Sequence, residues 1–268
     1  MAEKLLELKH ITKTFNPDTP NENTVLKGID LTINNGDFIS VIGGNGAGKS
    51  TLLNAIAGNV RLSSGRIYLA EADITKESDV KRSSQIARVF QDPLMGTAPR
   101  MTVAENLAIA LNRGERRRFN RTLNQKTYEA FGERLAKAGL GLENKLDDEV
   151  GSLSGGQRQV IALIMATLKK PKLLLLDEHV AALDPSTSQK VMTLTQNLVT
   201  EQKITTLMIT HNMAYALEYG NRLVMMDQGE VIVNVSNPEK SQLDEEAVLN
   251  LFKQESKEFE LSDKMFLH

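Results

Sequence analysis

Short apolar runs alternate with amphipathic stretches along most of the chain. Residues 5–15 and 25–33 read as strands, separated by the polar, turn-rich loop 16–24. Asn34-Asn35-Gly36-Asp37 has the composition of a hairpin-type turn. The run FISVI at 38–42 is short, mostly apolar and ends at glycines, as a buried strand does; a helix over 50–58, closed by Gly58, follows it. Residues 66–70 and 86–90 read as further strands. From about 101 to 168 the spacing turns helical. Thr102 with Glu105 forms a capping box before 107–111, and helices are expected over 126–138 and 154–168. Strand and helix then alternate again, with strands at 172–176 and 205–209 and helices at 186–202 and 213–218. A hairpin pairs 223–226 with 231–235 around Asp227-Gln228-Gly229. Continuous apolar strands alternating with helices predict an α/β fold whose parallel sheet is covered on both faces.

Composition narrows the function. The 268 residues are 41% hydrophobic and 25% charged, ordinary for a folded globular chain. Thirty-two Lys and Arg against 34 Asp and Glu give a net charge of −2, which removes the usual motive for non-specific nucleic-acid binding. Aromatics are only 4% and tryptophan is absent, which argues against a stacking platform for single strands. No nucleic-acid partner is expected. With no cysteine, disulfides, thiolate metal sites and a cysteine nucleophile are excluded. MAEKLLELKH lacks the apolar core of a signal peptide, and the longest apolar stretch, near 160–168, is about half the roughly 20 residues of a membrane helix. The expectation is a cytosolic chain that spans no membrane by itself. The basic run GERRRFNR at 114–121 reads as a solvated face, with contact to a membrane surface or acidic partner as the alternative.

Three motifs carry chemistry. Gly43-Gly44-Asn45-Gly46-Ala47-Gly48-Lys49-Ser50 fits G-x-x-x-x-G-K-[ST], the phosphate-binding loop, between an apolar strand and a helix. Its glycines let backbone N–H groups converge on an anion, the helix offers its uncompensated N-terminal donors, Lys49 adds a point charge and the Ser50 hydroxyl suits Mg²⁺. Leu173 to Leu176 lead into Asp177 and Glu178 at a strand's C-terminal end, where ligands sit in open α/β sheets. Neighbouring strand residues face opposite ways, so Asp177 is suited to the metal and Glu178 to polarising a water. Leu153-Ser154-Gly155-Gly156-Gln157 opens another apolar helix; taken alone it is either a second anion site or a plain cap.

GGNGAGKST, LSGGQ and LLLLDE in that order resemble the nucleotide-binding subunit of an ATP-binding cassette (ABC) transporter, over about residues 5–252. The resemblance implies a P-loop NTPase core with a parallel sheet, an N-terminal antiparallel β subdomain and a helical signature subdomain at about 92–168, with 253–268 as a tail. It extends the nucleotide-contacting stretch through Thr51. Phe15 matches the aromatic that stacks on adenine, the alternative being a core aromatic. Gln91 matches the glutamine that senses Mg²⁺ and the γ-phosphate, Asp184 the loop linking two active sites, and His211 the switch histidine. In the family two cassettes pair head to tail, so Ser154, Gly155, Gly156 and Gln157 of one copy would close over the ATP on the phosphate loop of the other. One copy of each motif implies a homodimer.

Where most relatives carry Pro-Thr after the acidic pair, this chain has His179-Val180, and His179 is expected to be structural. DEHVAALDP, ENLAIALNRGERRR and TLMITHNM are most similar to bacterial importer ATPases that accompany a permease and a tryptophan/tyrosine-type binding lipoprotein. The resemblance therefore implies an ATPase using ATP and Mg²⁺ at the cytoplasmic face of the membrane, driving uptake of an aromatic amino acid or similar small solute. Alternatives are the ATPase of an ABC exporter or a non-transport ABC ATPase, the latter disfavoured because no long coiled coil separates the motifs.

Overall fold

The computed structural model describes residues 3–115 and 123–256. Most of the basic run at 114–121, and the tail beyond 256, lie outside the described residues. In chain order the elements are β1 (Lys4–Phe15), β2 (Asn23–Asn34), β3 (Phe38–Gly43), α1 (Lys49–Ala57), β4 (Ser64–Leu69), β5 (Ala72–Asp73), α2 (Asp79–Arg82), β6 (Ile86–Val89), α3 (Val103–Leu111) and α4 (Gln125–Ala136). They continue with α5 (Gly155–Thr167), β7 (Leu173–Asp177), α6 (Pro185–Gln202), β8 (Thr205–Ile209), α7 (Met213–Glu218), β9 (Arg222–Asp227), β10 (Glu230–Ser236) and α8 (Glu245–Glu255). The chain divides into two compact units, residues 1–82 with 205–268, and residues 83–204.

The discontinuous unit holds an antiparallel sheet of order β2-β1-β4-β5. Ile29, Leu31 and Ile33 alternate inward along β2 while Asp30 points out. The same unit holds β3 paired in parallel with both β8 and β9, and β10 antiparallel to β9. All six residues of β3 are buried, as its mostly apolar run predicts, and its one hydroxyl, Ser40, donates to the Tyr219 carbonyl at 3.1 Å. The β9–β10 hairpin turns on Gln228 (φ 45°) and Gly229 (φ 86°), two consecutive positive φ values that match the twist of the strands. The turn at Asn34–Asp37 forms, with the Asp37 amide donating to the Asn34 carbonyl at 3.1 Å. It is not a hairpin, however: β2 pairs with β1, whereas β3 pairs with β8 and β9, so the turn passes the chain from one sheet to another.

Helix α8 continues to Glu255, past the start expected for the tail. Val248 and Phe252, one turn apart, are buried in a core with Ile42, Leu223, Met225 and Val233. Two cations are sunk in this unit. Arg82 donates to the Ala55 and Ile56 carbonyls at the end of α1 (2.7 and 2.8 Å) and to those of Ile74 and Thr75 (2.6 and 3.1 Å). Lys240, only 2% exposed, donates to the carbonyls of Leu217, Tyr219 and Gly220 at 3.0, 2.7 and 2.9 Å, closing the end of α7.

In the continuous unit β6 and β7 run parallel, and Leu173 to Leu176 are wholly buried. Helix α3 begins with the expected capping box and packs on α5, which also packs on α6. Val160, Ile161, Leu163 and Ile164 give α5 its buried face.

Candidate nucleotide-binding site

The phosphate loop lies in the discontinuous unit. Strand β3 ends at Gly43 (φ 155°), where a Cβ would drive into the Met226 carbonyl, and α1 begins after Gly48 (φ 95°), where a Cβ would fall 2.9 Å from the Val25 carbonyl oxygen. Gly44 and Ala47 are buried, while Asn45, Gly46 and Ser50 are exposed and Thr51 is half-buried. Gly48 is the N-cap of α1 and, having no side chain, provides no cap; no acidic residue stands in the first turn. The helix therefore presents amide donors and the positive end of its dipole toward the loop. Lys49 is 6% exposed and its ammonium donates to the Gly43 and Gly44 carbonyls at 2.8 and 2.9 Å, which folds its charge over the loop. This is an anion cradle of backbone N–H groups with one cation held across it.

Two further predicted residues belong to the same unit. Phe15, at the end of β1, is half-exposed with the Lys13 ammonium 4.7 Å above its ring, so it is not a core aromatic. His211 lies two residues beyond the end of β8 and is half-buried; the next residue, Asn212, caps α7 by accepting from the Tyr215 amide at 2.8 Å.

The continuous unit carries the remaining candidates. Asp177 ends β7 with its side chain 14% exposed, and Glu178 takes φ 48°, a left-handed conformation uncommon for a residue with a Cβ. The chain turns there, the Ala181 amide donating to the Glu178 carbonyl at 3.0 Å. His179 is 2% exposed, with Nε2 3.2 Å from the Thr195 hydroxyl on α6. That hydroxyl donates to the Val191 carbonyl at 2.8 Å, so its oxygen accepts the His179 Nε2 proton. Burial pulls the His179 pKa down to about 4, so the ring is neutral. Asp184 caps α6, accepting from the Thr187 amide at 3.0 Å, and hydrogen bonding from the Thr187 hydroxyl, then from this amide, holds its carboxyl below the usual range.

Ser154 is the N-cap of α5. Its hydroxyl accepts from the Gln157 amide at 3.3 Å while Gln157 Oε1 accepts from the Ser154 amide at 3.2 Å. A side chain at Gly156 would run into the Thr187 methyl. Gln91 is exposed just beyond β6, and it lines a cavity of about 420 Å³ with Gly155, Arg158, Gln159 and His179. Thus Gln91, His179 and the first turns of α5 line the same cavity.

One participant is missing from the motif reading. Arg88 on β6 donates to Asp177 at 2.6 Å, both side chains being 13–14% exposed, and its guanidinium lies 4.7 Å over the Phe90 ring. In the run IARVF the arginine reads as an outward strand residue, and nothing in the local sequence announces its partner 89 positions away. Among the described residues no group of three His, Cys, Asp or Glu forms a metal site, and no helix is long and apolar enough to cross a membrane. The hydroxyl of Ser50, the amide oxygen of Gln91 and the carboxylate of Asp177 are hard oxygen donors, the kind Mg²⁺ takes when phosphates and water complete its shell.

Known proteins are similar to this chain over most of its length. The family model described as ABC transporter matches residues 26–181. A tyrosine transport ATP-binding protein of Clostridioides difficile is 47% identical over 248 residues, covering 92% of this chain and 98% of that protein. A phosphonates import ATP-binding protein of Oceanobacillus iheyensis is 32% identical, covering 85% of this chain and 89% of its own. Among solved structures, a dimeric ATP-binding cassette in a post-hydrolysis state bound to ADP and Pi aligns with a TM-score of 0.75 at 29% identity, covering 87% of this chain and 98% of that one. By these matches, the chain belongs to the ABC transporter family as an ATP-hydrolysing subunit.

Proposed function

We propose that two copies of this chain bind two ATP molecules and drive an importer for an aromatic amino acid of the tyrosine type. The observation that carries the reading is the phosphate loop, whose uncapped helix start and folded-over Lys49 suit a triphosphate. The relative that is 47% identical across nearly its whole length supports the substrate class. Lys49 and the α1 amides hold the β- and γ-phosphates, Phe15 stacks on the base, and His211 and Gln91 report on the γ-phosphate. Ser154 to Gln157 of the second copy close over it, with Asp184 linking the two sites. Ser50, Gln91 and Asp177 hold Mg²⁺, which, when bound, neutralises charge on the phosphates. Glu178 orients the attacking water.

Closing and opening of the pair move a permease that docks near residues 91–105. Exposed Leu94, Met95 and Ile109, at 40%, 70% and 54%, supply apolar surface for it in this unit. A binding lipoprotein delivers the solute, and the chain works peripherally at the cytoplasmic face of the membrane. Glu178→Gln tests the chemistry: ATP binding is retained, turnover falls by about 10² or more and a stable dimer elutes with ATP. Native turnover in that variant defeats the assignment. Stimulation of the purified ATPase–permease complex by a tyrosine-loaded binding protein, and not by the empty protein, tests the substrate.

A further inference from the structure

Asp177 already has a resident counter-ion. Arg88 and Leu175 occupy matched positions on the paired strands β6 and β7, so the arginine side chain reaches forward along the strands to the carboxylate two residues on. Its Nη2 sits 2.6 Å from Asp177 Oδ2. The two groups are only 13% and 14% exposed, so water screens the pair weakly. The guanidinium is held from a second side by the Phe90 ring at 4.7 Å. It also lines a cavity of about 260 Å³ with Phe90, Pro93, Ile109, Arg113 and Met165. Arg113 is committed elsewhere, donating to the Ala166 and Lys169 carbonyls at 3.1 and 3.0 Å. Of these two arginines, the one aimed at the acidic strand end is therefore Arg88.

We propose that Arg88 is a positioning residue that occupies one oxygen of Asp177 and cancels its charge, so that a divalent cation does not load there without nucleotide. The inference rests on the assignment of Asp177 to the metal. A carboxylate paired at this distance offers a free cation no net attraction, and the fixed positive charge repels it. Phosphates arriving with the cation restore the missing negative charge. Arg88 thus makes metal entry conditional on ATP.

Titration of nucleotide-free protein with Mn²⁺, followed by electron paramagnetic resonance of the free ion, tests this. Arg88→Met and Arg88→Gln are each expected to bind Mn²⁺ about tenfold more tightly than wild type, with wild-type circular dichroism. The gain should vanish when Asp177→Asn is added, and Arg88→Lys, which keeps the charge, should stay near wild type. Unchanged or weaker Mn²⁺ binding in both neutral variants overturns the proposal, as does a gain that survives Asp177→Asn. Failure of the metal assignment itself shows separately, as Mg²⁺-dependent ATP turnover left intact by Asp177→Asn alone.

Discussion

Replacing Lys240 by Met removes an ammonium from a site where solvent cannot take its place. The side chain is 2% exposed, and its three donors go to the Leu217, Tyr219 and Gly220 carbonyls. Leaving those acceptors without a donor costs about 1–3 kcal/mol each. Against this stands the burial of a charge. The Lys240 pKa is pulled down to about 8 from an ordinary 10.5, worth about 3 kcal/mol of disfavour at neutral pH. The hydrogen bonds win, and Met keeps the apolar stem, so a net loss of about 2–3 kcal/mol is expected at pH 7.5. The pH dependence has a definite sign. Between about 8 and 10.5 the unfolded chain holds the Lys240 proton and the folded chain does not, so stability rises with pH through that window. Relative to Lys240→Met, wild type should gain about 2 kcal/mol between pH 7.5 and 9.5. Urea unfolding of both proteins at the two pH values, followed by far-ultraviolet circular dichroism, measures both quantities. A variant as stable as wild type at pH 7.5, or a difference that narrows at pH 9.5, refutes the reasoning.

Two other outcomes are expected. Lys49→Ala removes the cation folded over the phosphate loop and should weaken ATP binding by about 10- to 100-fold in calorimetry, with the fold retained. Phe252→Ala empties a site that is 2% exposed and should cost about 3–5 kcal/mol in thermal or urea unfolding, as for any core aromatic; a loss below 1 kcal/mol would mean that α8 does not belong to the folded body.

Elements whose information is local were legible before the structure. Leu173 to Leu176 needed only their unbroken apolarity, Thr102 and Glu105 only their spacing, and the phosphate loop only its glycines between strand and helix. What was hidden depends on distant partners. The turn chemistry of Asn34 to Asp37 is plain, yet which strand each flank joins is decided by residues near 4–15 and 205–227. Nothing in the sequence marks Arg82, Arg88 and Lys240, because it shows a cation and not the carbonyls or carboxylate waiting for it. Strand β5 has two residues and α2 four, too short for any period to register. The surroundings of His179 are likewise hidden in the sequence, since the Thr195 hydroxyl that meets its ring lies 16 positions on.

The two glycine-rich helix starts differ in how they treat their own ends. Helix α5 carries the reciprocal Ser154–Gln157 pair, so part of its first turn is satisfied by its own side chains. Helix α1 begins at a residue with nothing to offer, and an anion seated there would finish the helix as a missing cap would. The ligand is then part of the architecture of that turn, and saturating ATP should harden the unit around it by the usual mass-action amount, about 2.7 kcal/mol at a hundred times the dissociation constant. A serine at position 48 would mend the helix from within, but it would crowd the Val25 carbonyl and spend the donors that a phosphate needs.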